Sequence, residues 1–223
     1  MASLTSQLVE RAALSLSDTR FGAALLALKA PLRLFAVFIA ALLLGIAVTS
    51  YMTEQGSPLT TTRAGPWKSW LSEGNPNADR YTKAHLARSG RLPLTSTTAR
   101  YFMARSDSRG RTLWSDCEYT LSGFAISARW WSLALYDQHG AVIENPSERY
   151  SFNSAEAIRR ADGTFRVTIA SRARPENWLP SGTGSDERLV LLLRIYGPRE
   201  TDSDGIGKIP DDRLPKIDRV QCN

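Results

Sequence analysis

The chain has 223 residues, 43% of them hydrophobic, and a net charge of +6, so it is long enough for one substantial core and too apolar to be disordered. Its 28 Lys and Arg residues are spread along the sequence rather than gathered in a run, which argues against a basic nucleic-acid arm. Dispersed positive charge suits a surface that meets anionic lipid or an acidic polymer, or simple solubility.

Leu4, Leu8, Ala12 and Leu16 recur at helical spacing between charged residues. This predicts a cytoplasmic amphipathic segment over residues 1–33, lying on a membrane surface or loosely ordered, with a partner-binding amphipathic helix as the alternative. Residues 34–53 then run from Leu34 to Thr53 without a charge, the length a helix needs to cross the hydrocarbon layer. Arg11, Arg20, Lys29 and Arg33 precede this segment, whereas Glu54 is the first charge after it. The positive-inside rule therefore makes residues 34–53 a signal anchor, with everything beyond Thr53 outside. A cleaved signal peptide giving a secreted protein is the competing reading. The late start and the weak small-x-small pattern over Val48 to Met52 weigh against it.

Residues 54–75 are polar and interrupted by Gly56-Ser57-Pro58 and Gly65-Pro66, a pattern that predicts a linker. Trp67 and Trp70 within it either rest at the lipid interface or plug the edge of a core. From there to the end, residues 76–223 form the expected exported domain. Asn75-Pro76 predicts a short helix from Pro76 to Ser89, stopped at Gly90.

Beyond Pro93 the periodicity changes to that of strands. Tyr101 to Ala104 and Cys117 to Gly123 are expected to pair as a hairpin, followed by Trp130 to Tyr136 and a turn over Asp137 to Gly140. Short strands are expected over Ala141 to Glu144 and Arg149 to Phe152, then a turn of helix over Ser154 to Arg160. Phe165, Val167 and Ile169 alternate with Thr164, Arg166 and Thr168. Leu189 to Pro198 is apolar on both faces up to Arg194 and reads as a central strand. This succession predicts a mainly β chain: an antiparallel β-sandwich or jelly-roll-like domain preceded by one transmembrane helix and a short α-helix. The tail from Arg199 to Asn223 is expected to wrap the outside.

Cys117 and Cys222 both fall on the expected exported side. They either form a disulfide that ties the tail to the sheet or remain two unrelated thiols. Chemistry is sparse. His85 and His139 with two cysteines do not make a metal set, and no metal or other cofactor is expected. No nucleophile elbow, phosphate loop or dinucleotide fingerprint occurs, so no catalytic residue is assigned. Asp202-Ser203-Asp204-Gly205 lacks the later ligands of a calcium loop. Asp116 and Glu118 read as solvated strand carboxylates. Arg129 beside Trp130-Trp131, and Arg194 beside Tyr196, present either an anion-binding fork or an internally paired charge.

Taken in order, Asp107-x-x-Gly110-x-x-Leu113, Trp131-Ser132-Leu133-x-Leu135-Tyr136-Asp137, Asn145-Pro146-x-x-Arg149-Tyr150-Ser151, Asp162-Gly163, Asn177-Trp178-Leu179-Pro180 and Leu193-Arg194-Ile195-Tyr196-Gly197-Pro198 resemble the bacterial family known as domain of unknown function 1214, over about 101–198. The resemblance implies a β-sandwich. It also implies a plausible partner, a separate protein carrying the companion domain of unknown function 1254, which precedes this domain in larger relatives. It implies no reaction. With the anchor in place of the companion domain, the chain is similar to a short form held in the bacterial inner membrane, with its β domain in the periplasm. Two functional readings follow. One is a binding or assembly module that contacts inner-membrane lipid and an envelope partner but no nucleic acid. The other is an envelope enzyme subunit in which Arg129, Asn177, Trp178, Arg194 and Tyr196 line a cleft completed by the companion.

Overall fold

The computed structural model describes residues 31–182, 186–201, 207–209 and 211–222. The amphipathic pattern expected before residue 31 and the Asp202 to Gly205 motif lie outside them. The chain divides into two units, Met1–Met52 and Thr53–Asn223.

Helix α1 (Pro31–Gln55) is long and apolar enough to cross a membrane. At 1.5 Å per residue it extends about 37 Å, enough for a hydrocarbon layer of about 30 Å. Leu34, Phe35, Phe38, Leu43 and Leu44 all remain exposed, so this is not the core helix of a soluble domain.

The second unit is mainly β. Its strands are β1 (Thr61–Ala64), β2 (Trp67–Trp70), β3 (Ala99–Ala104), β4 (Cys117–Gly123), β5 (Ala128–Asp137), β6 (Ser151–Asn153), β7 (Phe165–Ala170), β8 (Trp178–Pro180), β9 (Leu189–Pro198), β10 (Glu200–Thr201), β11 (Gly207–Lys208) and β12 (Lys216–Cys222), with helix α2 (Arg80–Arg88) after β2. A six-stranded sheet has the order β1-β2-β3-β9-β5-β6, a four-stranded sheet the order β12-β4-β7-β8, and β10 pairs with β11. All pairings are antiparallel except β7 with β8.

One apolar core lies between the two larger sheets. The six-stranded sheet contributes Leu133, Leu135, Leu191, Leu193 and Ile195, and the other contributes Tyr119, Leu121, Val167, Ile169 and Ile217. The rings of Trp131 on β5 and Phe165 on β7 meet across the interior at 4.9 Å. Trp67 Nε1 donates to the Pro215 carbonyl at 2.6 Å, fastening β2 to the approach to β12. Fully burying each such aliphatic side chain contributes about 1.5 to 3 kcal/mol, so the alternation along β7 and the continuous apolar runs of β5 and β9 carry the fold.

Four local expectations are corrected. The segment 54–75 is not a plain linker: β1 and β2 form a hairpin through Gly65, whose φ is +59°, and extend the six-stranded sheet, with Trp67 and Trp70 buried. Helix α2 starts later than Pro76 because the Asn75 side chain accepts from Asn77 N, closing a turn, and Asp79 caps the helix by accepting from Thr82 N at 2.9 Å. β3 and β4 do not form a hairpin, since β3 joins β2 and β9 whereas β4 joins β7 and β12. Ser154 to Arg160 is not helical, because Asn153 accepts from Ala155 N and Glu156 N in a side-chain turn.

The tail is likewise more regular than a wrapping coil, ending in β12 against β4. Cys222 lies directly opposite Cys117 and is disulfide-bonded to it, with Cα atoms 3.9 Å apart. The bond spans a sequence separation of 105. In the chain-entropy account, closing a loop of that size stabilises by up to about 4 to 5 kcal/mol. Replacing both cysteines with serine is expected to lower the unfolding free energy of the β unit by a few kcal/mol, read from the urea midpoint of full-length protein in detergent. A midpoint that does not move would refute this role for the bond.

Candidate functional site

The five residues expected to share a cleft fall in three places. Arg194 and Tyr196 lie on the outer face of β9, opposite the side that carries Leu193 and Ile195 into the core. Arg194 Nη2 donates to the Tyr136 hydroxyl at 2.7 Å, with its guanidinium 5.8 Å from that ring. Tyr196 packs on Trp130 at 5.0 Å. Burial raises its phenol pKa, with Arg194 acting in the opposite direction. Together these side chains form an arginine–aromatic strip on the sheet surface.

Asn177 and Trp178 belong to the other sheet and are occupied there. Asn177 is 2% exposed. Its Nδ2 donates to the carbonyls of Ile158 at 2.9 Å and Arg166 at 2.8 Å, and its Oδ1 accepts from Ile158 N at 2.8 Å. Its backbone carbonyl also accepts from Thr168 N at 2.8 Å. Trp178 Nε1 donates to the Ala170 carbonyl at 2.9 Å. Parallel strands ordinarily need a crossover of a dozen or more residues. Here the three-residue β8 is returned beside β7 by the short connection 171–177, and Asn177 and Trp178 pin that return.

Arg129 sits apart from both groups, exposed at the start of β5. It lines a pocket of about 510 Å³ with Arg159, Arg199 and Arg213. The last three escaped the reading of the sequence because they are far apart in it. The adjacent pair Arg159-Arg160 was the one local hint.

Most of the remaining motif residues make turns. Asp107, 1% exposed, accepts from Arg109 N, Arg111 N and Arg111 Nε at 2.9, 2.9 and 2.7 Å. Burial alone would raise its pKa, but these hydrogen bonds and the Arg111 charge hold it below the usual carboxylate range. Asn145 and Asp162 close the turns before β6 and β7 by accepting from Arg149 N and Thr164 N. Gly197 has φ +55°, and a β-carbon there would lie 3.0 Å from Arg129 Cβ, so a side chain is disfavoured there both by the backbone and by the space. Glu118 is held by a two-pronged interaction with Arg174, which lowers its pKa, and is therefore not a free strand carboxylate.

Titratable groups around β2 and α2 are also perturbed. Burial, assisted by the charges of Arg63 and Arg105, brings Lys68 down to about 8. His85 stacks on Trp70 at 4.2 Å, and its Nδ1 lies 3.0 Å from the Thr53 carbonyl. Burial lowers its pKa despite that hydrogen bond. Glu73 is 3% exposed and joined to Arg91 at 2.6 Å, and burial raises its pKa against that pairing. Among the described residues no group of three or more His, Cys, Asp and Glu is placed to hold a metal ion.

These features define a class: a two-sheet β domain with a disulfide-closed end, carried on a chain with an N-terminal apolar helix. Residues 98–200 match the family described as "Protein of unknown function (DUF1214)". The VPA0106 protein from Vibrio parahaemolyticus is a structural neighbour at 22% identity and TM-score 0.51, covering 65% of this chain and 36% of its own. An uncharacterized protein from Burkholderia cenocepacia matches at 15% identity and TM-score 0.35, covering 56% of this chain and 30% of its own. The first likeness speaks to fold alone and the second carries no weight. The chain thus spans about a third of the length of these solved proteins. Among curated proteins none is significantly similar.

Two outcomes are expected from this geometry. Asn177→Ala strands the groups it bridges and should cost about 2 to 3 kcal/mol of stability, seen as a lower urea midpoint; an unchanged midpoint would free Asn177 for a ligand role. The depressed pKa of Asp107 makes its contribution full above the unfolded carboxylate value near pH 4 and lost as pH falls through the folded value. Acid titration of stability should therefore be shallower below pH 4 in Asp107→Asn than in the parent.

Proposed function

We propose that this chain is a single-pass inner-membrane protein that presents its β-sandwich in the periplasm as a binding or assembly module. The observation that carries the reading is α1, an apolar helix of membrane-spanning length whose side chains remain exposed. The Cys117–Cys222 disulfide supports an oxidising compartment for the domain. The asymmetry of charge around residues 34–53 supports the orientation.

The module reading is favoured over an enzyme subunit by the dispersal of the five candidate residues and by the internal bonding of Asn177 and Trp178. Partners under this reading are inner-membrane lipid and a separate protein carrying the companion domain of unknown function 1254. The outward strip of Arg194, Tyr136, Trp130 and Tyr196 supplies aromatic and arginine groups of the kind that dominate protein interfaces.

Alkaline phosphatase fused after Gln55 tests the topology, since that reporter is active only after export. The expected result is an active fusion that sediments with membranes and resists carbonate extraction. A fusion that is inactive would overturn the orientation, and an active one released in soluble form would establish signal cleavage instead.

A further inference from the structure

One end of the sandwich collects arginines from both sheets. Ala128 at the start of β5 lies opposite Pro198 at the end of β9, which sets Arg129 and Arg199 at the same end of the six-stranded sheet. In the other sheet, Gly123 at the end of β4 faces Phe165 at the start of β7, and Phe165 is bridged in turn to Arg159. The turn Asp211–Arg213 delivers Arg213 just before β12, whose Lys216 pairs with Ser122. Four chain segments, remote in sequence, therefore converge on the pocket of about 510 Å³ lined by Arg129, Arg159, Arg199 and Arg213, beside the loop of Ala125 to Ala128.

The four guanidiniums are unmatched. Among the described residues no carboxylate lines this pocket, and none of the four makes an ion pair or a side-chain hydrogen bond. Arg88, Arg91, Arg111 and Arg174, by contrast, each meet a carboxylate within 2.9 Å. The pocket's support is nevertheless ordered, with Ile126 buried, Ala128 N bonded to the Ile126 carbonyl and Arg199 N to the Ser127 carbonyl. A second hollow of about 250 Å³ adjoins it through the chain neighbours Arg159-Arg160 and Asp212-Arg213. It adds Arg160, Arg166 and Lys216 against a single carboxylate, Asp212.

Converging like charges repel one another, and an anion brought among them gains from each. The number of charges narrows the ligand class. Each guanidinium presents a planar fork to two oxygens. A carboxylate has two oxygens and one charge and would leave most of the forks unmet. Two linked phosphoryl groups supply several charges and five or six terminal oxygens, each able to accept more than one N–H, so that all four guanidiniums can be engaged. We propose that this pocket binds a diphosphate-class group, whether from a soluble molecule or from a lipid headgroup. The inference names a ligand for the exported module but rests on the pocket alone, so failure of the topology test leaves it standing.

The test uses full-length protein in phosphatidylcholine nanodiscs, titrated calorimetrically at constant ionic strength with inorganic pyrophosphate, and with acetate for comparison. Saturable pyrophosphate binding at least tenfold tighter than that of acetate is expected. Combining Arg129→Gln with Arg159→Gln should weaken it at least tenfold, whereas Arg80→Gln with Arg109→Gln, an equal loss of charge outside the pocket, should not. The pocket variant should melt at the parent's temperature or above, because it relieves repulsion. Doping the discs with a long-chain prenyl diphosphate separates the sources: weakened pyrophosphate binding through competition identifies a headgroup ligand, and unchanged binding a soluble one. Absence of saturable binding, undiminished binding by the pocket variant, or its weakened binding together with a lower melting temperature would each overturn the assignment.

Discussion

The hydrogen bonding of β9 on both edges is the constraint from which the rest of the β unit follows. Leu189, Leu191, Leu193 and Ile195 are no more than 2% exposed, and this face can be buried only if the opposite sheet closes over it. The strand's two neighbours, β3 and β5, are distant from it in sequence, so its register fixes much else. Pairing Ala128 with Pro198 and Asp137 with Leu189 decides which end of the sandwich receives Arg129 and Arg199. It also turns Arg194 and Tyr196 away from the core. A shift of one residue would exchange those two faces and place a guanidinium among the buried leucines.

The family signature is mostly a record of backbone problems solved. Asp107, Asn145 and Asp162 shape turns with their side-chain oxygens. Asn177 supplies three side-chain hydrogen bonds that hold the parallel strand β8 in place. Gly197 lets β9 pass close to Arg129. Such residues are constrained by geometry in any protein that keeps the fold, whatever it binds. A recognisable signature therefore coexists with the absence of an assignable reaction.

Legibility in the sequence followed the source of each element's stability. Cys117 to Gly123 and the alternation from Phe165 were readable because an alternating apolar face is itself the cause of burial, and β4 and β7 occupy those positions. The hairpin of β1 and β2 is not, because Thr61–Ala64 is polar and its stability comes from the burial of Trp67, bonded to Pro215 far along the chain, and of Trp70, stacked on His85. The helix start was misplaced because Asn75 and Asp79 are both competent caps, and the competition is settled by the local turn at Asn77. Likewise, the pairing of β3 and β4 failed because sequence adjacency predicts hairpins, whereas here the two strands belong to opposite layers. Among the site residues, Arg129 stands out in the sequence for its aromatic neighbours, whereas in the fold what distinguishes it is its company of Arg159, Arg199 and Arg213.

That difference bears on where function resides in such a domain. Internal pairing neutralises Glu118 with Arg174 and Glu73 with Arg91, and these contacts account for themselves as structure. Stability gains nothing from collecting unpaired like charges at one end of a sandwich, since each added guanidinium raises the local potential felt by the others. Their separate origins, at the ends of β5 and β9 and in the turns before β7 and β12, mean that no single local feature of the chain produced the cluster. The core dictates the positions of the strand ends but not the side chains displayed there, so the end of the sandwich is where a binding specificity can be written without altering the fold.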